Sequence, residues 1–176
     1  MKPGISILLF SIIFLAGCGK PAPEEYVGKA TLAINEKNFA LALEEFEKLI
    51  NAHPDSPQAE EAMFTIAKIQ SDELKDFPKA IAAYKRYMEK YPNGPQAPLA
   101  LFMTGYIFHN ELHDLDNARS TFETYLSKYP DHEMVPSARF ELENLGRPPE
   151  EILPNLQEKV PVTAAQTASK PSAKKN

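Results

Sequence analysis

The stretch YPNGPQAPLALF, Tyr91–Phe102, decides the fold because the chain contains three versions of it. HPDSPQAEEAMF occupies His53–Phe64, and YPDHEMVPSARF occupies Tyr129–Phe140. The prolines at the second position of successive stretches, like the phenylalanines at their ends, are 38 residues apart. Such a period is typical of a solenoid, in which each repeat buries its apolar face against the next.

Each repeat is predicted to contain two helices. Over residues 95–110 apolar side chains recur at helical spacing, which predicts a first helix with one broad buried face. A polar turn follows, and Ala118, Phe122 and Tyr125 then lie on one stripe of a second helix, at intervals of four and three residues. The small alanine allows the two helices to approach closely, and the aromatic side chain fills the space beside the contact. The repeat is therefore predicted to be a helical hairpin.

These units resemble tetratricopeptide repeats. In the first unit the residues that match the family pattern are Tyr26, Ala30, Ala42, Phe46 and Pro54. Phe64 and Phe102 take the aromatic place in the next two units. Lys68 and Tyr106 stand where the family has a small residue, and Gly105 offers close packing one position earlier. The resemblance implies an all-α superhelix of about three helical hairpins with a partial capping repeat.

The predicted boundaries follow from the repeats and from the composition of the two ends. We expect a cleaved signal peptide over 1–17, a lipidated tether over 18–23, repeats over 24–56, 57–94 and 95–132, a partial repeat with a cap over 133–157, and a disordered tail over 158–176. Ile152, Leu153 and Leu156 are expected to form the cap. The tail is rich in Pro, Ala, Ser, Thr and Lys and has no aromatic residue, which predicts disorder.

The N-terminus has the order of a secretory signal. Lys2 precedes an apolar run over 5–15, and small residues come directly before Cys18, the one cysteine of the chain. The run is about half of the roughly 20 residues that a membrane-spanning helix needs.

LAGC, ending at Cys18, resembles the lipobox of bacterial lipoproteins, which implies acylation of that cysteine and cleavage before it. Gly19 follows, where aspartate commonly retains such proteins in the inner membrane, so the resemblance implies the periplasmic face of the outer membrane. The alternative is a free cysteine in an ordinary cleaved signal.

Charge and motifs argue against catalysis and nucleic-acid binding. The net charge is −5, whereas phosphate binding normally needs a basic face. The chain contains no G-x-S-x-G, phosphate-cradling glycine loop or H-E-x-x-H motif. The nearest candidate metal site combines His109 and His113, four residues apart, with Glu111 and Asp114, but it lacks a third placed ligand. We therefore expect no catalytic residue, cofactor, metal or small-molecule substrate.

A groove for proteins or peptides is the remaining candidate site. Stacked hairpins form a superhelix whose concave side is lined by the first helices and holds peptides or partner helices. The groove-facing places of the tetratricopeptide family correspond here to Val27, Thr31, Ile34, Thr65, Ile69, Asp72, Met103, Ile107 and Asn110. Covering of this groove by the C-terminal segment around Leu153 and Leu156 is the alternative. We expect Ile69→Asp to weaken partner capture and to leave folding largely intact.

The lipobox and the repeats together resemble the BamD-like lipoproteins of outer-membrane protein assembly, although that family generally has more repeats. The resemblance implies a non-enzymatic scaffold that binds envelope proteins or peptides and is held on the membrane through acylated Cys18. One alternative is the Tol-Pal cell-division coordinator, which usually has a coiled coil and no lipid. Another is a pilotin-like lipoprotein for secretin or pilus assembly. The alternative of a different class is a metal-binding envelope protein, based on His109 and His113.

Overall fold

The computed structural model describes residues 20–148 and 151–152, and the elements in these ranges are helical. The helices are α1 (Pro23–Asn35), α2 (Phe39–Ala52), α3 (Pro57–Lys68), α4 (Phe77–Lys90), α5 (Ala97–Tyr106), α6 (Leu115–Lys128) and α7 (Val135–Glu143). α3 and α5 continue into π-helical turns at Ile69–Glu73 and Ile107–Glu111. The predicted signal peptide, Cys18, Leu153, Leu156 and the tail lie outside the described residues. The predicted all-α hairpin fold is confirmed.

The same device turns the chain between the two helices of each hairpin. A non-glycine residue with positive φ comes first, at Lys37, Lys75 and His113. The next residue caps the second helix with its side chain, which accepts a 3.2 Å hydrogen bond from the backbone N–H three residues later, at Asn38, Asp76 and Asp114. Such a cap satisfies one of the free N–H groups of the first turn. We call the turn formed by these two residues the elbow of the hairpin. The 38-residue repeat therefore fixes the position of the elbow in each of the three hairpins.

The helices pack mainly on their neighbours in the chain. α1 pairs with α2, α3 with α4 and α5 with α6, while α2, α4 and α6 also contact the first helix of the following repeat. The repeated alanines Ala42, Ala80 and Ala118 are fully buried where the two helices of a hairpin meet. Phe64 contacts the rings of Tyr84 and Tyr87 at centroid distances of 5.6 and 5.7 Å. Small residues thus set the spacing of each hairpin and aromatic residues fill it.

α7 opens a fourth repeat. It packs on α6, and after it only Glu151 and Ile152 are helical within the described ranges. None of the helices in 20–148 and 151–152 has the length and apolarity needed to cross a membrane.

Candidate protein-binding surface

The residues predicted to line the groove lie on α1, on α3 and α5, and on the two π turns. Thr31, Asp72 and Asn110 are exposed, and Val27, Ile34, Thr65 and Met103 are half-buried. Ile69 and Ile107 are only 5% and 1% exposed and belong to the apolar core. A ligand in the groove would therefore contact little of these two isoleucines, and Ile69→Asp would place a carboxylate in the core.

The π turns explain this burial. The Leu74 N–H donates to the Ile69 carbonyl five residues earlier, whereas in α1 the corresponding bond runs from Glu36 to Leu32, four residues earlier. A π turn accommodates one more residue per turn than an α turn does. The small buried residue of the second hairpin is accordingly Ala67, 13 residues before Ala80. In the first hairpin the same distance is 12 residues, from Ala30 to Ala42.

This shift brings to the surface two residues that are not among the predicted groove positions. Lys68 and Tyr106, which depart from the tetratricopeptide pattern, are exposed. Gly105 takes the close-packed place one position before Tyr106, because a Cβ atom there would lie 2.9 Å from the Phe122 ring. The exposed side of the first helices therefore carries Lys68 and Tyr106 in addition to the predicted groove residue Thr31. The signal in the sequence is the 13-residue distance between the small residue and the second-helix alanine.

A buried tyrosine fixes the second hairpin to the third. The Tyr87 hydroxyl donates to Glu60 Oε1 at 2.8 Å and accepts from the Gln96 N–H at 3.2 Å. Burial raises the pKa of this hydroxyl, and its bond to Glu60 raises it further, so Tyr87 stays protonated as a donor. A Cβ atom at Gly94 would lie 2.5 Å from both the Glu60 and the Tyr87 oxygens, so a larger residue there would displace this hydrogen-bonded pair. The network fixes the start of α5 relative to α3 and α4.

The third hairpin uses an imidazole for the same purpose. The Tyr125 hydroxyl lies 2.7 Å from His132 Nδ1, which also accepts from the Met134 N–H at 3.3 Å. Burial raises the pKa of Tyr125, and its hydroxyl is the donor to this nitrogen. In the first hairpin the corresponding residue is Leu49, which has no polar atom to contribute. The hydrogen bonds of Tyr87 and Tyr125 therefore fix the second and the third hairpin to the start of the repeat that follows each of them.

Comparison with known proteins identifies the family. Residues 21–147 match the sequence profile of YfiO, a family described as outer membrane lipoproteins. The matched span contains α1 to α7 and both π turns of the described part of the chain. The chain belongs to the YfiO family. No curated protein matches the chain.

The match to YfiO begins where side-chain hydrogen bonds hold the chain against α2 and α3. His53 Nε2 donates to the carbonyl of Pro21 at 2.7 Å, and Lys20 Nζ donates to the carbonyl of Ala52 at 3.3 Å. The side chain of Gln58 also donates to Glu24 Oε1 at 2.9 Å. The N-terminal end of the described chain is therefore held on the junction between α2 and α3.

Two of the candidate metal ligands of this YfiO chain, His109 and Asp114, have other partners. His109 Nδ1 forms a 2.8 Å contact with Glu141 Oε2. Asp114 caps α6, and hydrogen bonds from the Asn117 side chain and backbone lower its pKa. His113 is exposed and occupies the left-handed position of the elbow. No group of three or more potential ligands comes together in residues 20–148 and 151–152.

Proposed function

We propose that this YfiO-family chain is a non-enzymatic, lipid-anchored scaffold on the periplasmic face of the outer membrane, acting in outer-membrane protein assembly as BamD-like lipoproteins do. The observation that carries the proposal is the family match to outer membrane lipoproteins, which spans the three hairpins of the described residues. It starts three residues after Cys18 of the LAGC sequence. Membership in this family associates the chain with the envelope membrane and with protein interactions.

The short distance between Cys18 and the folded part supports a scaffold that works beside the bilayer. Lys20 and Pro21 are hydrogen-bonded to the end of α2, and only Gly19 separates Lys20 from Cys18. At about 3.5 Å per residue, an extended chain between Cys18 and Lys20 spans roughly 7 Å. Acylation of Cys18 would therefore hold the α2–α3 junction within about 10 Å of the lipid surface.

The exposed side of the first helices supports protein binding. Thr31, Lys68 and Tyr106 are exposed there, and Asp72 and Asn110 extend the surface along the π turns. A tyrosine among small polar and charged groups provides apolar contact area together with hydrogen-bonding groups, which suits an extended or helical peptide. We propose that these residues, with half-buried Val27, Ile34, Thr65 and Met103 at the edge, form the partner-binding surface.

Site-specific crosslinking in cells tests the partner and the surface together. A photo-crosslinking amino acid is placed at Lys68 or Tyr106 of the full-length, acylated protein, and at Glu123 on α6 as an exposed control. We expect a component of the barrel-assembly machinery to be captured from positions 68 and 106 and not from 123. Capture of a Tol-Pal component or a secretin would contradict the assembly role and support one of the alternatives. Equal capture from all three positions would contradict the proposed surface.

The anchor is tested separately. Wild type and Cys18→Ala are labelled with radioactive palmitate, and the membranes are separated by density. We expect the wild-type protein to carry the label and to sediment with the outer membrane. The variant should do neither. Label without outer-membrane sedimentation would contradict the localisation and leave the acylation standing. Absence of label in the wild type would support the free-cysteine alternative.

A further inference from the structure

The aromatic residue of the fourth repeat lacks the cover that its counterparts have. Phe64 and Phe102 are 7% and 6% exposed because the second helix of each hairpin places two aromatic rings against them. Phe140 occupies the same place 38 residues after Phe102 and is 37% exposed. The difference follows from the missing partner, because α7 is followed by no full second helix in the described part of the chain.

A cavity of about 500 Å³ lies between α7, the second π turn and the start of α6. Phe140 on α7 and Leu115 at the start of α6 provide its apolar walls. Leu115 is itself 39% exposed. Ile152 also lines the cavity, although it lies twelve residues beyond Phe140 in the chain. The chain therefore returns to the open face of α7 after leaving it.

A series of hydrogen bonds turns the chain back. The Asn144 side chain donates to the Phe140 carbonyl at 2.7 Å, and the Arg147 N–H donates to the Asn144 carbonyl at 3.0 Å. Gly146 between them has φ of 75°, and a Cβ atom there would meet Leu115 at 2.9 Å. Glycine is the residue that adopts this backbone without strain. After the turn, the Glu151 N–H donates to the Pro148 carbonyl at 3.0 Å, which directs the next residue into the cavity.

We propose that residues 151–157, Glu-Ile-Leu-Pro-Asn-Leu-Gln, fill this cavity and cap the solenoid, with Ile152 and Leu156 covering Phe140 and Leu115. Ile152 already lines the cavity, and the chain that follows supplies the apolar side chains of Leu153 and Leu156. The proposal does not depend on the scaffold role.

Tryptophan fluorescence tests the cap in the full protein, since the chain contains no tryptophan. Leu156→Trp reports on the cap, and Gln166→Trp in the tail is the matched control. Each acylated protein is placed in lipid nanodiscs at one copy per disc and titrated with acrylamide. We expect quenching of the tryptophan at 156 to be several-fold weaker than at 166. Equal quenching at the two positions would overturn the proposal.

Two further measurements identify what covers the reporter. Phe140→Asp, and independently Leu115→Asp, should raise the quenching at 156 toward that at 166 and leave 166 unchanged. Both residues are more than one third exposed, so the variants should keep the wild-type circular dichroism. Protection at 156 that neither substitution reduces would place the segment elsewhere. Protection seen only in discs with two copies would assign the surface to a second molecule of this chain. Either result overturns the proposal.

Discussion

Residues 38 positions apart differ in burial between the first helix of the first hairpin and the first helices of the two hairpins that follow. In α1, Ala30 is buried and Thr31 is exposed. At the same spacing in the second hairpin, Lys68 is exposed and Ile69 is buried. The third hairpin repeats the second, with Tyr106 and Ile107. The comparison shows that the elbows can keep an exact 38-residue spacing although the buried face of the first helix shifts by one residue.

Two structural differences account for the shift. The π turns that end α3 and α5 take up one residue more than the end of α1 does. In addition, the turn at Ile69–Glu73 contacts α4 of its own hairpin and α2 of the preceding one. α1 has no preceding helix among the described residues, so its corresponding face is open. Burial of an isoleucine is therefore both possible and favourable in the later repeats.

The largest expected effect comes from placing a charge at the two corresponding positions. Ile69→Asp removes a buried side chain and buries a carboxylate, which should lower the free energy of unfolding by at least about 3 kcal/mol. Thr31→Asp, at the matching place on α1, should change it by no more than about 0.5 kcal/mol because the side chain is exposed. Urea unfolding followed by circular dichroism measures both. Equal losses would show that the two positions face the same environment.

The second test concerns two buried tyrosines of α4. Tyr87→Phe removes the donor to Glu60 and the acceptor of the Gln96 N–H, and should cost about 1–3 kcal/mol. The Tyr84 hydroxyl is buried, and no described residue bonds to it. Phe46 and Phe122 occupy its place in the other hairpins. Tyr84→Phe should therefore be neutral or stabilising in the same unfolding experiment. A larger loss from Tyr84→Phe than from Tyr87→Phe would contradict this assignment.

The sequence predicts the hairpins well because their determinants are local and repeated. Ala80 and Phe64 can be recognised as core residues from the period alone, and both are buried. The register of the first helices could not be obtained in the same way. The small residue follows the aromatic by four positions in α1 and by three in α3, and both steps remain on one face of a helix with 3.6 residues per turn. The 13-residue distance from Ala67 to Ala80 marks the shift in the sequence, and the hydrogen bonds of the π turn show how the extra residue is accommodated.

The candidate surface was predictable only in part for the same reason. Transfer of groove positions at a fixed spacing places Thr31 and Asn110 on the exposed side and misplaces Ile69 and Ile107. Tyr106 departs from the repeat pattern in the sequence, but its exposure depends on the register of the helix. The bond between Tyr87 and Glu60 joins residues 27 positions apart and involves a side-chain geometry that no periodicity contains.

A smaller effect separates two glycines in the first helices. A Cβ atom at Gly28 meets nothing within 4 Å, so Gly28→Ala should stabilise α1 by up to about 1 kcal/mol through helix propensity. A Cβ atom at Gly105 would lie 2.9 Å from the fully buried Phe122 ring. The clash should outweigh the gain in propensity, and Gly105→Ala should destabilise by about 1 kcal/mol. Melting temperatures of the two variants should thus move in opposite directions, and a shift of both upward would contradict the close packing.

The smallest expected effect distinguishes the elbows by pH. Hydrogen bonds from Lys79 lower the pKa of Asp76, and hydrogen bonds from Asn117 lower that of Asp114. A carboxyl whose pKa is lower in the folded state contributes stability above its unfolded pKa and loses it as the pH falls through the folded pKa. The first elbow has Asn38, which caps α2 and does not titrate. The two later elbows should therefore weaken in acid while the first does not.

Replacing both aspartates by asparagine tests this difference, because asparagine caps a helix about as well as aspartate. Asp76→Asn with Asp114→Asn should reduce the fall in unfolding free energy below about pH 4. The control pair Asp55→Asn with Asp131→Asn removes as many exposed carboxylates and keeps both caps. If the control flattened the acid response as much as the cap variants, net charge would explain it. A response confined to the cap variants would locate the acid sensitivity of the solenoid in the elbows of its second and third hairpins.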